Sequence, residues 1–234
     1  MIECARREVD RSPGAGHPPD VKLYNVDGSP NCFRVRLVIN QLGLEVELVD
    51  VDLRSKDKPA AFLAASPGGK VPAFVDDDGF TLFESRAINP YLCSKRPEKA
   101  LYPADPKVRA IIDQWSYWQA IHLGPAMQAV AFERVGKKAF KMGEGVEEIA
   151  LAKLKETESF LPVVEKGLVG KDWLAGSLSL ADFAVATTFP LRKPAGISLA
   201  AFPNTEAWIQ RVEALPAWNK ALPNYIREIL ATPT

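Results

Sequence analysis

Gly69-Lys70-Val71-Pro72-Ala73-Phe74 and Leu82-Phe83-Glu84-Ser85-Arg86 decide how this chain is read. The first stretch leads from a Gly-Gly pair into a short apolar strand with a proline near its start. A proline there removes one ladder donor and favours a turn or a cis bond. The N–H and C=O of Val71 are then left to pair with something outside the sheet. The second stretch sets an acid and a hydroxyl at a strand-to-helix junction. The first N–H groups of a helix have no intrahelical acceptor, so such a junction is a ready anion site. Together the two stretches read as a clamp for a small extended peptide carrying a carboxylate.

The elements around the clamp follow from local signals. Val21 to Tyr24 reads as a strand. Ser29 suits a helix N-cap and Pro30 the first helical position. Val35, Val38, Ile39 and Leu42 keep helical spacing, and Gly43 fits the stop. Val46 to Leu53 reads as a strand and Lys58 to Ala65 as a short helix. Val71 to Val75 and Thr81 to Phe83 are strands joined through Asp76-Asp77-Asp78-Gly79, a hairpin signal. Ser85 to Ser94 is a third helix, with Pro90 inside it as a source of a kink. The order βαβα-ββα is that of a thioredoxin-like domain, an α/β layer over residues 21–96.

Residues 97–106 are a proline-punctuated linker, and residues 107–230 read as an all-helical domain. Lys107 to about Val135 forms one long helix with a kink expected at Gly124-Pro125. Glu144 to Lys166 is a second helix, which Pro162 bends or ends. Ser179 to Leu191, Asn204 to Leu215 and Ala217 to Leu230 are shorter ones. Ser179-Leu180-Ala181-Asp182 has the form of a capping box, with Leu178 and Phe183 at the staple positions. Such a cap contributes on the order of 1 kcal/mol and carries no chemistry.

Composition narrows the function. The chain has 234 residues, 47% of them hydrophobic and 25% charged, as in an ordinary globular protein. Lys+Arg and Asp+Glu both number 29, which argues against nucleic acid or an anionic membrane as partner. Three cysteines, Cys4, Cys32 and Cys93, suit a reducing compartment, and the cytoplasm is the expected location. No stretch is apolar enough to span a bilayer. Two histidines and no ligand-spaced Cys/His cluster imply no metal site. Residues 1–20 lack an apolar h-region and read as a disordered tail rather than a secretory signal.

These segments together resemble the glutathione S-transferase family over Val21 to about Leu222. Gly-Lys-Val-Pro-Ala-Phe and Glu-Ser-Arg-Ala-Ile look like its glutathione-binding elements, and Ser-Leu-Ala-Asp like its helix-capping motif. Ser29-Pro30-Asn31-Cys32-Phe33-Arg34 resembles the Ser-x-x-x-x-Arg pattern of the serine-type, phi-like and theta-like classes. The resemblance implies that Val71 pairs its backbone with the cysteinyl part of glutathione and that Pro72 is cis. It implies that Glu84 reaches the γ-glutamyl amino group, Ser85 its carboxylate, and Lys58 and Lys70 the glycine carboxylate. Ser29 would stabilise the thiolate as a hydrogen-bond donor. Lowering a thiol from about 8.5 by about two pH units requires about 2.7 kcal/mol of preferential thiolate binding. A charge-assisted hydrogen bond and the positive end of a helix are the two sources available at Ser29.

The implied function is transfer of glutathione, as co-substrate with no tightly bound cofactor, to electrophilic and mostly hydrophobic small molecules. A homodimer is the family's default assembly. Gly68 departs from the pattern of classes that carry an aromatic key after the proline. The rival readings are a glutathione-dependent peroxidase, thiol transferase or dehalogenase on the same scaffold, and a non-catalytic interaction module. Cys32 carries the thiol-transfer alternative, because Ser-Pro-Asn-Cys has the outline of Cys-x-x-Cys with its first cysteine replaced. The acceptor pocket is expected between the domains along the long helix. Trp115, Trp118, His122, Met127 and Phe132 are its large residues, most of them assigned to core.

Overall fold

A computed structural model describes residues 21–232, so the tail expected at 1–20 lies outside the described residues. The first half runs β1 (Lys22–Asn25), α1 (Pro30–Leu42), β2 (Glu47–Asp50), α2 (Ala60–Ala65), β3 (Ala73–Val75), β4 (Thr81–Phe83) and α3 (Ser85–Ser94). The strands form one sheet in the order β2-β1-β3-β4. β1 and β2 are parallel, whereas β1–β3 and β3–β4 are antiparallel. A parallel pair needs a crossover, and α1 supplies it.

The differences from sequence expectation have local causes. β2 stops at Asp50 because its partner β1 ends at Asn25, the residue in register with it. β3 starts at Ala73 rather than Val71 because Pro72 has no N–H to give the ladder; the Val71–Pro72 peptide is cis. α2 starts after Pro59, two residues beyond Lys58. α3 continues through Pro90.

α1 has little solvent face. Ser29 caps it, Pro30 opens it and Gly43 closes it at φ 67°, and every residue from Cys32 to Ile39 is buried. Two of these are arginines, which hydrophobic spacing alone does not anticipate. The helix lies between the sheet and the second half of the chain. Phe33 meets Trp218 edge-on at 4.9 Å. Arg36 donates from Nη2 to the Ala221 carbonyl at 3.1 Å and from Nη1 to Asn25 Oδ1 at 2.6 Å.

The second half is helical. α4 (Pro106–Trp118), α5 (Gly124–Ala131) and α6 (Lys137–Ala139) follow one another through π turns at Gln119–Leu123 and Phe132–Gly136. The kink expected at Gly124-Pro125 therefore appears as a π turn ending just before it. Pro125 has no N–H to continue the α ladder, and a wider turn absorbs the gap. Only glycine fits at 124: an added Cβ would lie 2.5 Å from Gln119 Nε2 and 2.7 Å from Gln119 O. α7 (Glu147–Gly167) runs through Pro162 without ending. Then come α8 (Leu180–Ala186), α9 (Pro203–Glu213), α10 (Pro216–Ala221) and α11 (Asn224–Ala231). The single helix expected over Ala217–Leu230 is thus two, because Leu222-Pro223 breaks it.

The capping box forms as expected: Ser179 N–H donates to Asp182 Oδ2 at 2.9 Å. Asp182 also accepts from Leu174 N–H and Trp208 Nε1–H, each at 2.9 Å. Burial pushes its carboxyl up, and these hydrogen bonds pull it back only in part. One hydrophobic core runs through both halves, from Leu23 and Phe74 of the sheet to Phe183 and Trp208.

Candidate active site

Ser29 stands at the N-terminus of α1, where its Oγ accepts a hydrogen bond from Cys32 N–H at 3.3 Å. Capping uses the oxygen as acceptor and leaves the hydroxyl proton free to donate outward. The cap and a donor to an anion are therefore compatible in one side chain. Pro30 brings no N–H, and Phe33 N–H bonds back to Ser29 O at 2.9 Å.

β3 and β4 pair antiparallel with Ala73 opposite Phe83, so Val71-Pro72, just before β3, and Glu84-Ser85, just after β4, lie at the same end of the sheet. Among the described residues, neither N–H nor C=O of Val71 has a hydrogen-bond partner. Lys70 is fixed through its backbone: Ser66 Oγ donates to Lys70 O at 2.7 Å and accepts from Lys70 N–H at 3.1 Å. The Lys70 side chain is exposed. Lys58 donates from Nζ to Ser55 O at 3.0 Å, and its stem lies beside Gly69, 3.8 Å from where a Cβ would stand. The two lysines thus border the same turn.

Glu84 is held at φ 69° and ψ 115°, at a positive φ that a non-glycine residue rarely adopts. Its carbonyl accepts from Ala87 N–H and Ile88 N–H and starts α3. Its side chain is exposed, with no cap hydrogen bond of its own. Ser85 follows, 2% exposed, at the first helical position.

Sequence reasoning gave Arg34 no role. The structure buries it at 2% exposure and directs Nη1 to Ser85 Oγ at 2.9 Å and to Asn31 Oδ1 at 2.8 Å. Burial and the neighbouring Arg86 lower its guanidinium to about 9. The signal was present as the last member of Ser-x-x-x-x-Arg. Arg86 bridges to the helical half, donating to Ser116 O at 3.1 Å and to Gln119 Oε1.

A cavity of about 390 Å³ opens beside Ser29, with Gly28 and Pro30 in its wall. Phe33, Phe132, Phe140, Leu191, Tyr225 and Ile226 supply much of the remaining lining. Of the large residues expected on the long helix, only Phe132 reaches this cavity. Met127 is fully buried in the core. Trp115 packs on Trp118, and Trp118 and His122 both contact Phe160 of α7. The aromatic stripe belongs to helix–helix packing.

These features define a two-domain protein whose thioredoxin-like half offers unpaired backbone groups at Val71 and a capped helix start beside an apolar cavity. The family models of the glutathione S-transferase N-terminal and C-terminal domains match residues 23–100 and 123–216. Glutathione S-transferase F13 of Arabidopsis thaliana is 36% identical over 87% of this chain and 95% of its own. Glutathione S-transferase 3 of Zea mays is 34% identical over 86% of this chain and 93% of its own. A solved glutathione S-transferase-I bound with lactoylglutathione superposes with a TM-score of 0.78 at 26% identity, covering 86% of this chain and 98% of that one. The chain belongs to the glutathione S-transferase family. It is a transferase with glutathione as co-substrate.

Proposed function

We propose that this enzyme conjugates the glutathione thiolate to hydrophobic electrophiles, with Ser29 as the hydrogen-bond donor to sulfur. Val71 pairs its free backbone groups with the cysteinyl unit beside cis-Pro72. Glu84 takes the γ-glutamyl amino group, and Ser85 with its helix-start N–H takes the carboxylate. Lys58 and Lys70 hold the glycine carboxylate. The observation that carries this reading is the position of Ser29, at the capped start of α1 and flanked by Gly28 and Pro30 of the apolar cavity. A thiolate bound there has its donor on one side and a dry acceptor pocket on the other.

Cys32 weighs against thiol transfer. It is fully buried, and burial pushes its thiol up from its ordinary value. Disulfide exchange requires an accessible thiolate.

The enzyme acts as a homodimer in the cytoplasm. Phe83 on β4, Tyr117 on α4 and Ile121 on the π turn are large apolar residues at 52%, 61% and 66% exposure, which a second copy would cover. Gly68 has open space around it and contributes no key. Cys32 and Cys93 are unpaired, in keeping with a reducing compartment. No helix among the described residues is long and apolar enough to cross a membrane.

The test is the ultraviolet titration of bound glutathione's thiol in wild type and in Ser29→Ala. The expected wild-type thiol pKa is roughly two units below the free value of about 8.5, rising in the variant. A wild-type value equal to the free one would sink the reading. A low value unchanged in Ser29→Ala would remove Ser29 from its role.

A further inference from the structure

Two buried polar atoms in the seam between α1 and α3 have no hydrogen-bond partner among the described residues: Arg34 Nε and Asn89 Oδ1. Both side chains are enclosed, at 2% and 3% exposure. One atom is a donor and the other an acceptor. Asn89 Nδ2 donates to Arg34 O at 3.4 Å, which fixes the amide's orientation, since turning it over would set Oδ1 against that carbonyl. A third group belongs with them. Pro90 lacks the N–H that would donate to the Arg86 carbonyl one turn earlier in α3.

Arg34, Arg86, Asn89 and Pro90 border one small cavity of about 20 Å³, with Asp113 and Ser116 of α4 on the side of the helical half. A cavity needs about 10–15 Å³ to hold one water, which then takes two to four polar partners. This one has room for a single molecule. The chemistry of the wall selects it. An anion is repelled by the Asn89 and Arg86 oxygens, and a cation by the Arg34 and Arg86 guanidinium groups. A neutral molecule that accepts one hydrogen bond and donates two suits all three groups, and water is the one small enough.

We infer that this cavity is a built site for one water, which accepts from Arg34 Nε–H and donates to Asn89 Oδ1 and the Arg86 carbonyl, and that through it Asn89 is a positioning residue for glutathione binding. The second part rests on the reading of Ser85 given above. Arg34 Nη1 donates to Ser85 Oγ at 2.9 Å and to Asn31 Oδ1 at 2.8 Å. Nη1 and Nε belong to one rigid planar group, so holding Nε sets the direction in which Nη1 points. A bridging water holds a polar group nearly as well as a direct hydrogen bond does. With the water in place, α3 contributes both ends of the device: Asn89 and the Arg86 carbonyl fix Arg34 from one side, and Ser85 receives it on the other. Asn89 is buried and acts on glutathione through Arg34 and Ser85.

The test has a structural arm and a kinetic arm. A crystal structure of the full wild-type chain is expected to show one water within about 3.2 Å of Arg34 Nε, Asn89 Oδ1 and the Arg86 carbonyl. Electron density without a water there overturns the inference, whatever the activity. Asn89→Leu is similar in volume and removes the acceptor. Its expected glutathione KM is higher by roughly 3- to 10-fold, with kcat and the KM of the electrophile within about twofold of wild type. Asn89→Asp keeps an acceptor oxygen for the water and is expected to return the glutathione KM to within about twofold of wild type. A residue that merely packs would not affect the glutathione KM selectively. An unchanged glutathione KM in Asn89→Leu, or an Asn89→Asp variant as impaired as Asn89→Leu, overturns the positioning role. Ser85→Ala is measured alongside. An unchanged glutathione KM in that variant fails the reading of Ser85 and the positioning role with it, whereas the water is read from electron density independently of both.

Discussion

Arg34 Nη1 donates to Ser85 Oγ at 2.9 Å across 51 residues of sequence, inside the seam between α1 and α3. The bond joins the helix capped by Ser29 to the helix that begins at Ser85, the residue proposed for the γ-glutamyl carboxylate. Accepting from Arg34 directs the Ser85 hydroxyl so that its own proton and the helix-start N–H remain for a ligand. Arg34→Ala is expected to raise the KM for glutathione by roughly tenfold and to destabilise the fold by about 2–4 kcal/mol, since it empties a buried site and strips the buried Ser85 hydroxyl of its donor. Steady-state kinetics and urea unfolding check the two effects. Arg34→Lys should restore little of the binding, because one ammonium lacks the planar fork that reaches Asn31 and Ser85 together.

Ser29 caps α1 and is proposed to donate to the thiolate, two duties that substitution can separate. Ser29→Ala removes both cap and donor, with an expected loss of about 1 kcal/mol in stability and roughly 10- to 100-fold in kcat/KM. Ser29→Asp keeps a capping oxygen but sets a negative charge against the thiolate. It should unfold at a temperature close to that of the wild type and yet be less active than Ser29→Ala. Thermal melts and conjugation rates on the same preparations decide this. An Asp variant as active as wild type would exclude a donor role for Ser29.

Asp182 anchors the helical half. It accepts from Leu174 N–H, Ser179 N–H, Ser179 Oγ–H and Trp208 Nε1–H while fully buried. Asp182→Ala leaves these donors without an acceptor and is expected to cost about 3 kcal/mol or more. Asp182→Asn keeps one acceptor oxygen and should cost less. Denaturant midpoints for the three proteins give the order directly.

Acid sensitivity should centre on Asp76. Burial alone would raise its carboxyl, but Lys95 Nζ at 2.6 Å, the Tyr91 hydroxyl and the Asp77 N–H outweigh that and lower it. A carboxyl lower in the folded than in the unfolded state stabilises the fold above the unfolded value of about 3.9, and this is lost as pH falls through the folded value. Unfolding free energies of wild type and Asp76→Asn should therefore differ most at neutral pH and converge as pH drops below about 4. A gap that stays constant down to pH 3 would assign the effect of the substitution to packing alone.

Much of the site was legible because its chemistry is local. A cap at Ser29, a proline after Val71, an acid and a hydroxyl at a helix start and a Ser-x-x-Asp box all act within about four residues of themselves. Arg34 was not legible as a site residue, although it completes a recognisable pattern, because its partner Ser85 is brought to it only by the packing of α1 against α3. The cavity lies between the two halves along the long helix, as expected, but of the large residues expected there only Phe132 reaches it. Trp115, Trp118 and His122 share a helical face, and a constant 3.6-residue period carries that face onward along the chain. Each π turn inserts extra backbone and rotates the following residues by roughly 100° per residue added. After Gln119–Leu123 the continuation of the stripe no longer faces the same way, and Phe132 and Phe140 meet the cavity instead.

The sequence by itself determined the order of the two halves, the turn before β3 and the helix caps, because propensities, prolines and hydrogen bonds between near neighbours are written in consecutive residues. The tertiary structure alone decided which side chains line the cavity beside Ser29. Gly28, Phe132, Leu191 and Tyr225 line one cavity from four separated segments, and Pro223 turns α11 back so that Asn224 bonds Asp27 beside Ser29. That meeting depends on helix phase and on the contact between the two halves, neither of which a local pattern records.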